Sequence, residues 1–127
     1  MDDGRSKPGT EKPNILVDRS YDFARRAIRL YKHLSVEQKG YVLSKQVLRS
    51  GTSIGANVAE ANQAQSRSDF VHKLAIALKE AVETEYWLSL LRDEHFITKS
   101  QADALIGDCK SLIRILTASI KTTKGAK

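Results

Sequence analysis

The feature of this sequence that most limits its possible folds is a heptad pattern between residues 70 and 91. Apolar or small side chains recur there every three or four residues, at Phe70, Leu74, Ala77, Ala81, Thr84, Leu88 and Leu91. This spacing places them along one side of an α-helix. The pattern therefore predicts a long helix with one buried face, which other helices must cover.

Three further segments carry the same periodicity and have recognisable start signals. Ser35-Val36-Glu37-Gln38 has the form of a capping box and predicts the start of a second helix. Ser66 and Thr98 are placed to cap a third and a fourth helix. The predicted fold is an all-α, antiparallel up-down-up-down four-helix bundle, because short connections force successive helices to run antiparallel. The predicted helices span about residues 14–34, 36–64, 67–95 and 99–121.

The two ends of the chain are polar. Residues 1–13 and 123–127 are predicted to be disordered tails, and residues 14–122 to form one bundle domain. No segment approaches the roughly 18 apolar residues that span a bilayer. The single cysteine, Cys109, lies in an apolar helical pattern and is predicted to be a small buried side chain. We therefore expect a soluble, cytoplasmic protein.

Residues 49–62 read RSGTSIGANVAEAN, which suggests either a phosphate-binding loop or a helix with a thin face. A Walker loop requires Lys-Ser or Lys-Thr after its last glycine, and a dinucleotide fingerprint requires three glycines after a strand. Neither pattern occurs. In a helix, Gly51, Gly55 and Ala59 share one face and let a neighbouring helix approach closely. Close helix packing is therefore predicted.

A second apolar row on the fourth helix consists of Ile106, Ile113 and Ile120, seven residues apart. An outer helix of a monomeric bundle needs only one apolar stripe. The row predicts contact with another subunit; the alternative is a tightly enclosed helix within a monomer.

The net charge of +6 is concentrated on the first and last helical segments. Such a distribution is compatible with a nucleic-acid-binding surface and equally with a solvated cationic face. The aromatic residues Tyr21, Tyr31, Tyr41 and Trp87 are scattered along the sequence, so binding is expected at phosphates or RNA shape, not at unstacked bases. The candidate binding residues are Arg25, Arg26, Arg29, Lys32, Lys110, Arg114 and Lys121.

The second and third helices are predicted to form a hairpin that turns near residues 65–66. In that register Arg49 lies opposite Glu83, and Glu60 lies opposite Lys73. Charge pairs of this kind indicate either a shared polar network or ordinary surface salt bridges.

The segments LRSGTSIGANVAEA and SRSDFVHKLAIALKEAVETEYWLSLL resemble the four-helix-bundle family encoded within intervening sequences of large-subunit ribosomal RNA genes. Accessory variability determinants of diversity-generating retroelements are relatives of that family. The resemblance covers residues 14–122 and implies a ring-like homopentamer. In the retroelement relatives, a basic surface engages nucleic acid and a reverse transcriptase. The family motif carries over the surface residues Arg49, Asn57, Glu60, Lys79, Glu80, Glu83 and Trp87.

Enzymatic uses of a four-helix bundle find little support in the sequence. A di-iron site needs two Glu-x-x-His pairs, whereas Asp69-x-x-His72 is a single imperfect match. No catalytic residue, metal or cofactor is expected. The predicted function is electrostatic binding of nucleic acid, RNA above all, by an oligomer. The alternative is a protein-binding scaffold that uses the polar surface of helices two and three, with Trp87 as its anchor.

Overall fold

The computed structural model describes residues 14–37 and 40–125 of the chain. They form four helices: α1 (Ile15–Glu37), α2 (Tyr41–Ala61), α3 (Arg67–Asp93) and α4 (Lys99–Gly125). Each helix packs against the one before it, and α4 returns to α1 along the most loosely packed of the four seams. The predicted four-helix bundle is confirmed. The tail predicted for residues 1–13 lies outside the described residues.

The heptad of α3 forms the centre of the core. Its members from Leu74 to Leu91 are all buried, and Phe70 is partly buried and packs against the same core. Cys109 on α4 is also fully buried, as predicted. None of the described helices is long and apolar enough to cross a membrane.

The connection between α1 and α2 differs from the prediction. Ser35 does not cap a new helix, because α1 continues to Glu37 and α2 begins only at Tyr41. Gly40 makes the turn with a φ of +63°, and a Cβ there would lie 2.9 Å from the Phe96 ring. Only glycine adopts this left-handed conformation without a steric penalty. Gln38, the last residue of the supposed capping box, lies outside the described residues.

The start signals of α3 and α4 are confirmed. The Ser66 hydroxyl accepts a 3.0 Å hydrogen bond from the Asp69 amide. At the start of α4, the Gln101 amide donates to the Thr98 hydroxyl at 3.1 Å, and the Thr98 amide donates to Gln101 Oε1 at 2.9 Å. This reciprocal pair is a capping box.

The remaining helix ends were predicted less well. α2 stops at Ala61 instead of about residue 64, and α3 stops at Asp93 instead of about residue 95. The end of α3 is a Schellman motif, in which the Phe96 amide donates to the Leu91 carbonyl and the His95 amide to the Arg92 carbonyl. α4 continues to Gly125, so residues 123–125 are helical and not part of a disordered tail. Residues 126–127 lie outside the described residues.

Candidate nucleic-acid interface

Arg25, Arg29 and Lys32 are exposed on the outer face of α1. Their spacing of four and three residues places them on one side of the helix. Among residues 14–36 and 40–125, no acidic side chain forms an ion pair with any of the three. Three of the predicted binding residues thus form a row of cations that the bundle itself does not neutralise.

Arg26, predicted to belong to the same surface, points elsewhere. Its guanidinium forms a salt bridge with Asp108 across the seam between α1 and α4. Nearby, Arg19 donates a 2.6 Å hydrogen bond to the Ser111 hydroxyl. Arg26 therefore helps to close this loosely packed seam and is less available to a ligand than Arg25 or Arg29.

A cavity of about 390 Å³ lies in the α1–α4 seam. Phe23 and Leu112 supply its apolar lining, and Asp18 and Asp22 also line it. Asp18 and Asp22 thus border the seam, and Asp18 also lies on the same side of α1 as Arg25, seven residues later.

The predicted basic residues of α4 also include one that is paired with a carboxylate and two that are not. Lys110 lies 3.8 Å from the Glu85 carboxylate of α3, which reduces its availability. Arg114 and Lys121 are exposed and have no ion-pair partner among the described residues. They form a second, smaller group of free cations.

Two other cations of the bundle are paired with carboxylates. Lys73 binds Glu60 at 2.9 Å, and this hydrogen bond raises the pKa of Lys73. Lys99 binds Asp103 at 2.6 Å and lowers the pKa of that carboxyl group. The Lys73–Glu60 contact confirms the predicted register of α2 and α3.

The same register brings together the α2–α3 polar surface, which consists of Gln46, Arg49, Glu80, Glu83 and Trp87. The Arg49 guanidinium forms salt bridges with Glu80, at 3.3 Å, and with Glu83. The Trp87 indole donates a 3.1 Å hydrogen bond to the same Glu83 carboxylate. Gln46 Oε1 accepts a further 3.1 Å bond from Arg49 Nε. Arg49 opposite Glu83 is as predicted, and the family-motif residues in this group satisfy one another.

The other family-motif residues do not join this network. Asn57 donates to the Ser53 carbonyl at 2.9 Å and the Ser53 hydroxyl at 3.2 Å, within its own helix. Glu60 pairs with Lys73, about three helical turns closer to the α2–α3 connection. Lys79 is exposed and has no described ion-pair partner.

The two glycines of RSGTSIGANVAEAN pack against α1. A Cβ on Gly51 would lie 3.1 Å from the Ala27 Cβ, and one on Gly55 would lie 3.2 Å from the Ser20 carbonyl oxygen. The predicted thin face is thus confirmed at these two positions. Ala59 is exposed and lies beyond the close contact.

The second apolar row of α4 is only partly available to another subunit. Ile106 is 7% exposed and belongs to the core of its own chain. Ile113 and Ile120 are partly buried and pack against that core. Enclosure within the protomer accounts for Ile106, so only Ile113 and Ile120 remain as candidate subunit contacts.

A family model described as 23S rRNA-intervening sequence protein matches residues 12–118. The chain belongs to this family. The resemblance inferred from the two sequence motifs is thereby confirmed.

A solved relative has the same fold as this member of the 23S rRNA-intervening sequence protein family. It is a protein of unknown function from the S23 ribosomal protein family of Bacteroides thetaiotaomicron VPI-5482, with 54% sequence identity. The match covers 84% of this chain and 99% of that chain, with a TM-score of 0.82. None of the curated proteins compared with the chain matches it.

Sequence reasoning missed one cluster in this member of the 23S rRNA-intervening sequence protein family. Tyr31 and Tyr41, treated as scattered, have ring centroids 6.0 Å apart across the α1–α2 seam. Hydrogen bonding to Tyr41 lowers the pKa of Tyr31, and Lys45 acts in the same direction. The sequence signal for this pair is the turn between the first two helices. If that turn is placed at Gly40, the antiparallel register brings Tyr31 close to Tyr41.

Proposed function

We propose that this protein is a non-enzymatic RNA-binding protein that contacts phosphates electrostatically through the outer face of α1. The observation that carries the proposal is the row formed by Arg25, Arg29 and Lys32, which has no acidic partner among the described residues. Like charges at three- and four-residue spacing repel one another slightly. An anionic partner would relieve that repulsion and release counterions from its own backbone.

The pairing of other cations supports this choice of surface. Arg26, Lys73 and Lys99 each form a salt bridge with an aspartate or glutamate of the same chain. A phosphate would have to compete with those carboxylates. The α1 row meets no such competition, and Arg114 and Lys121 offer a second unpaired group.

Fluorescence anisotropy with labelled fragments of ribosomal RNA, measured over a series of salt concentrations, tests the proposal. The logarithm of affinity should fall linearly with the logarithm of salt concentration, and Arg29→Gln should reduce that slope by about 1. Arg26→Gln is the matched control, because this arginine lies three residues away and is already paired with Asp108. Equal effects of the two substitutions, or binding indifferent to salt, would overturn the proposal.

The proposal includes a homo-oligomer, with the pentamer of the family resemblance as the expected form. Ile113 and Ile120 support it, because both remain only partly buried in the isolated chain. A ring would repeat a modest cationic surface and so increase overall affinity without new contacts. Light scattering coupled to size exclusion should give about five times the 14.1 kDa protomer mass, and a monomer would contradict this part of the proposal. We also propose that the protein acts in the cytoplasm.

A second candidate function, a protein-binding scaffold, is favoured by one observation on α3. Tyr86 is 59% exposed beside Trp87, with the two rings edge to face at 5.2 Å. Exposed aromatic side chains of this kind often anchor protein interfaces. The internal satisfaction of Arg49, Glu83 and Trp87 leaves fewer polar groups for a partner, which is why we rank this function second. A partner bound there would be far less sensitive to salt than RNA.

A further inference from the structure

The outer surface of the α1–α2 seam combines exposed aromatic rings with cations. On α1, Tyr21, Arg25, Ile28 and Lys32 follow one another at spacings of four, three and four residues. This spacing forms one continuous row along the helix. Tyr21 is 66% exposed and Ile28 is 38% exposed. The row therefore presents apolar and cationic side chains alternately to solvent.

α2 completes this surface. Tyr41 is 44% exposed and lies against Tyr31, and its neighbour one turn along the helix is the exposed Lys45. We call the surface of Tyr21, Arg25, Tyr31, Lys32, Tyr41 and Lys45 the tyrosine strip.

The charge of the tyrosine strip has one sign. Arg25, Lys32 and Lys45 have no ion-pair partner among the described residues. The nearest described carboxylates on α1, Asp18 and Asp22, line the cavity toward α4, and Asp18 also lies one turn before Tyr21. Exposed rings beside three cations that have no described ion-pair partner favour a polyanion that has flat apolar groups, and a single-stranded nucleic acid has both properties.

We propose that the tyrosine strip binds single-stranded RNA, with bases stacked on Tyr21 and on the Tyr31–Tyr41 pair and with phosphates at Arg25, Lys32 and Lys45. Tyr21 and Tyr31 are ten residues apart on α1, a rise of about 15 Å, so the strip is long enough for several nucleotides. This inference rests on the proposed RNA binding and adds the kind of RNA and the mode of contact. It replaces the expectation that bases would not be contacted, which assumed scattered aromatic residues.

The test compares a fluorescently labelled 12-nucleotide single strand of mixed sequence with a duplex of the same length. Wild-type protein should prefer the single strand. Tyr21→Leu and Tyr41→Leu should each weaken single-strand binding by about 5- to 150-fold, the usual loss when a stacking ring is removed. Duplex binding should change less than about twofold, since phosphate contacts remain. Tyr21→Phe and Tyr41→Phe should bind nearly as wild type, because the aromatic face is kept.

Tyr86→Leu is the matched control, because Tyr86 is 59% exposed on α3 and lies outside the strip. It should leave both affinities unchanged. Circular dichroism and thermal unfolding of each variant check that the bundle is intact.

The possible failures are distinguishable. Salt-sensitive duplex binding that depends on Arg29, together with no effect of Tyr21→Leu or Tyr41→Leu, would overturn the stacking inference and leave the proposed function standing. Wild-type protein that binds neither RNA would overturn both. Leucine variants that bind RNA normally but lose self-association in light scattering would assign the strip to a contact between copies and overturn the inference.

Discussion

The hydroxyl of Thr84 donates a 2.6 Å hydrogen bond to the hydroxyl of Ser50, and both residues are completely buried between α2 and α3. Ser50 in turn donates to the carbonyl oxygen of Gln46 at 2.9 Å. The pair links two helices inside the core, directly below the charged contacts of Arg49. Polar groups at such depth are tolerated because they are hydrogen-bonded to each other.

Replacing Thr84 with valine keeps the side-chain volume and removes this link. We expect Thr84→Val to lower the free energy of unfolding by about 1 kcal/mol, because Ser50 loses a buried hydrogen bond. Ser50→Ala together with Thr84→Val should cost less than the sum of the two single substitutions. Urea unfolding at a fixed protomer concentration gives the free energy of unfolding of the wild type, the two single variants and the double variant. Strict additivity would mean that the hydroxyl pair contributes no coupling.

Two glycines inside helices should respond in opposite ways to alanine. In Gly107→Ala the new Cβ meets no atom within 4 Å, so the substitution should stabilise the protein by up to about 1 kcal/mol through helix propensity alone. In Gly55→Ala the Cβ would lie 3.2 Å from the Ser20 carbonyl oxygen, a backbone atom that cannot move aside easily. We expect a loss of about 1–3 kcal/mol there. Thermal unfolding of the two variants provides the comparison, and a similar gain at both positions would show that α1 and α2 do not approach as closely as described.

His95 occupies the left-handed position of the Schellman motif at the end of α3, with a φ of 65°. Glycine is the usual residue there, because a side chain with a Cβ is strained by about 1–2 kcal/mol. We expect His95→Gly to stabilise the protein by about 1 kcal/mol. His95→Ala should give no comparable gain, because it retains the Cβ. Chemical denaturation gives the free energy of unfolding of both variants. A gain in His95→Gly alone would indicate backbone strain, whereas equal gains in both variants would indicate an effect of the imidazole.

The Cys109 thiol should make stability depend on pH in the alkaline range. Burial raises its pKa to about 12, and the Glu85 carboxylate acts in the same direction. The thiol also donates a 3.1 Å hydrogen bond to the Ala81 carbonyl. In the unfolded chain the pKa is about 8.5. Above that pH the unfolded state loses the thiol proton while the folded state keeps it, so stability falls as pH rises toward 12.

Urea unfolding of wild-type protein and Cys109→Ala at several pH values between 8 and 11 tests this linkage. The wild type should lose up to about 1.4 kcal/mol per pH unit relative to the variant once the pH exceeds 8.5. The subtraction removes the titration of tyrosines and lysines, which both proteins share. A difference between the two proteins that is constant with pH would contradict the assigned burial of the thiol.

Local patterns were enough to predict most of the secondary structure and one of the seams. The heptad from Phe70 to Leu91, the Ser66 cap and the Thr98–Gln101 capping box depend on neighbouring residues only, and all three were found. The contact between Lys73 and Glu60 was also predictable, because a short turn fixes the register of an antiparallel hairpin.

Other features depended on how residues distant in sequence meet. Ser35 satisfies a local capping rule, yet the turn lies at Gly40, where a glycine packs against Phe96 and Leu91, which are distant in sequence but lie at the same end of the bundle. Periodicity placed Arg25 and Arg26 in one cationic group without regard to α4.

The sequence by itself determined that four amphipathic helices form and that they alternate in direction. Only the tertiary structure decided that Arg26 meets Asp108 while Arg25 stays free, and that Tyr31 meets Tyr41. The physical reason is that these contacts depend on the rotation of each helix about its own axis. That rotation is set by the packing of the whole core, including close approaches such as Gly55 to Ser20, and not by any single helix.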